Sequence, residues 1–142
     1  MQRSFVFNPS RYLMLALACA HALAAVTVFF IPLPPSALIL LLPVLASSMG
    51  YYSLRDALLK LNDSWIALRL EGERAVLTNR AGEEWVVELS RASVVMPHLV
   101  VLNVVAAERR CRRSVVLLSD SMDGESFRRL RVALKWLFSA AT

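Results

Sequence analysis

Between Arg11 and Arg55 the chain carries no Asp, Glu, Lys or Arg. A charge-free run of that length is far longer than any one element of a small soluble domain. It divides into two halves, YLMLALACAHALAAVTVFFI (Tyr12 to Ile31) and ALILLLPVLASSMGYYSL (Ala37 to Leu54). Each half is about the length one helix needs to cross a bilayer. The connection, PLPPS from Pro32 to Ser36, cannot continue a helix, because each proline lacks a donor and clashes with the preceding turn. The pattern predicts a membrane hairpin with spans at about 12–31 and 37–54. Composition agrees: 57% hydrophobic and 19% charged, with mean hydropathy +0.53, is more apolar than a soluble domain of 142 residues.

The cations set the expected topology. Arg3 and Arg11 precede the hairpin, Arg55 and Lys60 follow it, and the turn is uncharged. The positive-inside rule then puts both termini in the cytoplasm of a multi-pass protein, in a bacterium an inner-membrane one with the prolines facing the periplasm. A cleaved signal peptide has a shorter apolar core, and here the run continues past ACAHALA into a second span. Pro43 is expected to kink the second helix, and Tyr51 and Tyr52 suit the headgroup interface. Ala16, Ala20 and Ala24 offer a small-residue face for helix contact, with His21 packed neutral between the helices. Cys19 and Cys111 lie in unrelated segments, so no disulfide is expected, and both read as buried, inert thiols.

From about Asn62 the periodicity changes from helical to alternating. In WIALRLEG, Ile66, Leu68 and Leu70 share one face, while Ala67, Arg69 and Glu71 share the other, as in a half-buried strand. RAVLT and EEWVVELS flank the turn NRAG and predict a hairpin, with Trp85, Val87 and Leu89 on one face. MPHLVVLNVVAA is a long β-rich run, ERRCRR (108–113) a charged connection, and SVVLL (Ser114 to Leu118) the last strand. A helix follows, with Phe127, Leu130, Leu134, Leu137 and Phe138 on its apolar side and Arg128, Arg131 and Lys135 on another. The expected fold is a membrane α-helical hairpin (1–61) plus a small α+β cytoplasmic domain (62–142). That domain holds about five antiparallel strands, a meander or half-barrel, closed by the C-terminal amphipathic helix.

Few residues suit chemistry. His98, the one histidine outside the spans, has no Cys or carboxylate at ligand spacing, and there is no phosphate-binding glycine loop. No serine stands in a nucleophile-elbow context. The expectation is a protein that is not an enzyme, with no catalytic residue, metal site or cofactor. Arg109, Arg110, Arg112 and Arg113 form a basic patch with three readings: a solvated hairpin tip, a rest on anionic lipid, or a dock for an acidic partner. Nucleic acid is disfavoured, because no aromatic is interleaved for base stacking. Asp120 and Asp123 stand where the last strand meets the helix. Asp123 suits the helix N-cap, Glu125 its first turn, and Asp120 the turn itself. A metal held by two carboxylates alone would need substrate phosphates to complete it.

The chain resembles the YgfX-type (CptA-type) inner-membrane toxins of proteobacteria. The likeness rests on the basic N-terminus before a hairpin with the turn IPLPPS, and on Gly82-Glu83-Glu84-Trp85, one residue longer than the short family pattern. The most specific part is Asp120-Ser121-Met122-Asp123 followed by Phe127-Arg128-Arg129-Leu130-Arg131. Leu33 departs from the pattern, since relatives can carry tryptophan in that turn. The resemblance implies the toxin half of a toxin–antitoxin-like pair, anchored in the membrane and inhibiting division and cell shape through FtsZ and MreB. It also implies pairing with a CptB/SdhE-type small flavinylation factor, and action by binding. Asp120, Asp123, Arg128 and Arg131 are then candidate partner contacts. The alternative is a non-toxic, membrane-tethered assembly or lipid-surface module for a respiratory or envelope complex.

Overall fold

A computed structural model describes residues 3–140. Strand β1 (Arg3–Val6) leads into α1 (Arg11–Phe30), a proline-rich turn, and α2 (Pro35–Tyr52), which runs on into a π-helical turn, Ser53–Ala57. Then come β2 (Trp65–Glu71), β3 (Arg74–Asn79), β4 (Glu84–Leu89), β5 (Val94–Val95), β6 (Leu99–Ala106), β7 (Arg112–Leu118) and α3 (Gly124–Ala140).

The two helices form where the apolar halves predict them. Pro35 opens α2 at a position where a missing N–H costs nothing. The helix continues through Pro43. Both helices are long and apolar enough to span a membrane, and they are hardly buried. Leu15, Leu23, Phe29, Phe30, Ile39, Leu40 and Val44 are exposed. The core helix of a soluble domain would hide such side chains, whereas here they stand open on the outside of the hairpin. The face of α1 turned toward α2 carries Leu17, Ala18, His21, Ala24, Ala25 and the buried Val28. Ala16 and Ala20 are exposed, so the expected small-residue face is rotated away from the contact. His21 is the polar link. Its Nδ1 lies 2.8 Å from the Leu17 carbonyl oxygen and its Nε2 3.3 Å from the Ser48 hydroxyl.

All neighbouring strands pair antiparallel, in the order β1-β2-β3-β4-β6-β5, with β7 on the other side of β6. The sheet has seven strands, not the expected five. Two were missed. β1 lies in the basic stretch before the hairpin and pairs Phe5 with Leu68 and Arg3 with Leu70. β5 is cut from β6 by the turn Met96–His98. No ladder joins β1 to β7 among the described residues, so pairing does not close the sheet into a barrel.

The inner face carries the alternating residues of β6 (Val100, Leu102, Val104, Ala106) and of β7 (Val115, Leu117). With them lie Phe5, Leu68, Leu70, Leu77 and Val87. In β2 the register shifts between Trp65 and Ala67. This bulge puts Trp65 in the core and leaves Ile66 half-buried, contrary to simple alternation. α3 seals the face with Phe127, Leu130 and Leu134, all buried, while Leu137 and Phe138 are only half-buried near its end. Asn79 folds the β3–β4 turn: its Oδ1 accepts from the Glu83 N–H at 2.9 Å, and Gly82 takes φ +87°. Both cysteines are exposed and unbonded, Cys19 on the outer surface of α1 and Cys111 at the β6–β7 tip. The expectation of buried thiols is corrected.

Candidate docking site at the strand–helix junction

β7 ends in a tight turn. The Leu118 N–H donates to Ser121 Oγ at 3.0 Å, and the Ser121 N–H donates to the Leu118 carbonyl at 2.9 Å. Ser121 and Met122 are buried, so the middle of the D-S-M-D segment plugs the core and its two aspartates flank the plug. They point to different tasks.

Asp120 reaches back to the start of α1. Its Oδ1 accepts from the Ser10 hydroxyl at 2.5 Å, and its Oδ2 accepts from the N–H groups of Arg11 at 2.9 Å and Tyr12 at 3.1 Å. Ser10 is itself the N-cap of α1, accepting from the Leu13 N–H at 3.0 Å. The free N–H groups of the first turn of α1 are thus shared between a local serine and a remote carboxylate. Two backbone bonds close the knot. The Asn8 N–H donates to the Ser121 carbonyl at 2.6 Å, and the Ser10 N–H donates to the Ala57 carbonyl, just after α2, at 2.8 Å. Burial works against ionising Asp120. The bonds from Ser10, Tyr12 and Arg11 outweigh it and hold the carboxyl below the usual carboxylate range.

Asp123 caps α3. Its Oδ2 accepts from the Ser126 N–H at 3.0 Å, and its carbonyl accepts from the Phe127 N–H at 3.0 Å. Hydrogen bonding from Ser126 holds its carboxyl below the usual carboxylate range. Glu125 pairs with Arg129 one turn on. Arg128 is exposed. Arg131 is half-buried: its Nη1 donates to the Pro97 carbonyl at 3.2 Å, and its guanidinium lies 5.9 Å from the Phe127 ring centre. It ties α3 to the β5–β6 turn. His98 is exposed in that turn.

The two carboxylates therefore serve separate helix ends and do not converge on one point. Among the described residues no group of three or more His, Cys, Asp or Glu side chains gathers at a spacing that could hold a metal.

The basic stretch lies elsewhere. Arg112 and Arg113 are not a connection but the first residues of β7, opposite Val105 and Val104. Arg109 and Arg110 sit in the β6–β7 turn. At roughly 3.3 Å per residue, the length of β7 sets this tip some 20 Å from the Asp120 turn. The two sets of candidate residues thus occupy opposite ends of one strand. Ser10, the partner of Asp120, was not among the residues singled out. Its signal was a serine directly before an apolar helix.

A family model described as the membrane-bound toxin component of a toxin–antitoxin system matches residues 2–138 of the chain. No curated protein and no solved structure matches it.

Proposed function

The chain belongs to the CptA toxin family, the membrane-bound toxin components of toxin–antitoxin systems, and from that premise we propose that it acts by docking, without catalysis. In this reading a two-span anchor with both termini in the cytoplasm holds a rigid β domain beside the inner membrane. The domain binds soluble proteins there. FtsZ and MreB are the targets suggested by resemblance, and a CptB/SdhE-type small protein is the partner.

The observation that carries the reading is the junction. Bonds from Asp120 to Ser10, Arg11 and Tyr12, and from Asn8 to Ser121, fasten the domain to the first turn of the anchor. A protein that works by holding a partner at the membrane needs a stiff link between anchor and binding face. Arg128 and Asp123 are exposed beside that link and are the proposed partner contacts there, while Asp120 and Arg131 position the surface.

Overexpression in the native host tests the reading. Rounded or filamented cells, with cytoskeletal protein recovered on the detergent-solubilised chain, are the expected result. Normal morphology in the presence of stable, membrane-inserted protein overturns it. Asp123→Asn refines the site: lost pull-down at an unchanged thermal midpoint marks a contact, whereas parallel loss of both leaves only the cap.

A further inference from the structure

Three arginines outside the β6–β7 tip are neutralised by ion pairs. Arg69 pairs with Glu71 and Glu84, Arg55 with Asp56, and Arg129 with Glu125. At the β6–β7 tip four arginines cluster within five positions. Arg109, Arg110, Arg112 and Arg113 form no ion pair among the described residues. Glu108 in the same turn offsets one of the four charges, so the tip keeps a net positive charge for a partner to answer.

Two further features show that local packing does not demand these cations. Arg110 has φ +47°, a left-handed conformation natural to glycine and rare for a long side chain. It is exposed, so its side chain returns no core contact for that strain. Arg109 is held in place: its guanidinium stacks 4.5 Å over the Trp85 ring, and Trp85 meets Trp65 edge-on at 5.3 Å. One charge of the cluster is therefore pre-ordered, which lowers the entropy lost on binding. Val86, 42% exposed on the strand next to the tip, supplies an apolar spot beside the charges.

We propose that the β6–β7 tip docks an acidic segment of a soluble partner protein, with Arg109, Arg110 and Arg112 taking its carboxylates. Planar guanidinium forks match carboxylates in bidentate fashion. Ser114, two residues on from Arg112, lines a cleft with Arg55 and Asp56 at the foot of the hairpin, so anionic headgroups are the competing ligand that the test separates. The face of Trp85 that could stack on a nucleic-acid base is already covered by Arg109. The inference rests on the reading that this chain works by binding a soluble protein.

The test uses the full chain in phosphatidylcholine nanodiscs and a fluorescent polyglutamate peptide as probe. Arg110→Gly and Arg112→Gln are each expected to weaken binding about tenfold, the worth of one lost charge-assisted contact. Lys135→Gln, an exposed basic residue on α3 outside the proposed contacts, is expected to change it little. Arg110→Gly removes the charge at a position where glycine is favoured, so its thermal midpoint should equal or exceed the wild type. Lost binding in that variant therefore cannot be unfolding. Unchanged affinity in Arg110→Gly and Arg112→Gln overturns the proposal. So does an equal loss in Lys135→Gln, which would reduce the effect to net charge, or displacement of the peptide by phosphatidylglycerol nanodiscs, which would assign the tip to lipid. In cells, the double variant should relieve growth inhibition. Inhibition that persists without peptide binding overturns the docking role and leaves the toxin reading standing. A wild-type chain with no effect on growth overturns the toxin reading, while the peptide result still decides the tip.

Discussion

Asp120 and Asp123 are three residues apart and cap two different helices. Removing the Asp120 carboxylate leaves the Ser10 hydroxyl and two N–H groups at the start of α1 without their acceptor. Asp120→Ala is expected to cost about 1–2 kcal/mol, read as a lower thermal midpoint in nanodiscs. Because the folded-state pKa of Asp120 is depressed, its ionic contribution is fully present above the unfolded value near ~4 and is lost as pH falls through the lower folded value. The stability gap between wild type and Asp120→Asn should therefore be constant at neutral pH and close only below about pH 4. A gap that instead closed as pH rose would contradict the assigned bonds. The cap role of Asp123 was legible in the sequence, because a cap and its helix are neighbours. The partner of Asp120 was not, since Ser10 lies 110 positions away and no local pattern carries that distance.

Among the elements, β1 was the least visible. Four residues, RSFV, are too few to show alternation, and they sit in a stretch whose arginines read as topology signals. Yet Phe5 is buried against Leu68. Phe5→Ala should destabilise the domain by about 3 kcal/mol, toward the low end for a buried aromatic because the strand is at an edge. Urea or thermal melts measure this, and a change below about 0.5 kcal/mol, ordinary for a surface site, would mean β1 is not part of the core. The bulge in β2 was hidden for another reason. Periodicity assumes unbroken alternation, and one inserted residue moved Trp65 inward and Ile66 out of phase. By contrast, α1, α2 and α3 were read nearly to their ends, because long apolar or amphipathic runs are unambiguous. The basic run 108–113 was read as a connection because charge hides strand character. Its last two arginines continue the β7 ladder.

At the scale of the whole molecule, an exposed apolar hairpin and a compact sheet meet at one knot of hydrogen bonds. The two exposed cysteines report how this body sits in the membrane. With both termini cytoplasmic as proposed, Cys111 should resist a membrane-impermeant maleimide in intact cells and react in inside-out vesicles, whereas Cys19, in a lipid-embedded α1, should react in neither. Labelling of Cys111 from outside would reverse the proposed orientation.

The central claim is that the D-S-M-D segment fastens the β domain to the anchor through Asp120. Amide hydrogen exchange of wild type and Asp120→Ala, both full-length in nanodiscs, tests it most directly. Faster exchange at Arg11 and Tyr12, spreading to Asn8, with the Ser126 and Phe127 amides still protected, is the predicted result. Unchanged protection at Arg11 and Tyr12, or a uniform loss across both helix starts, would contradict it.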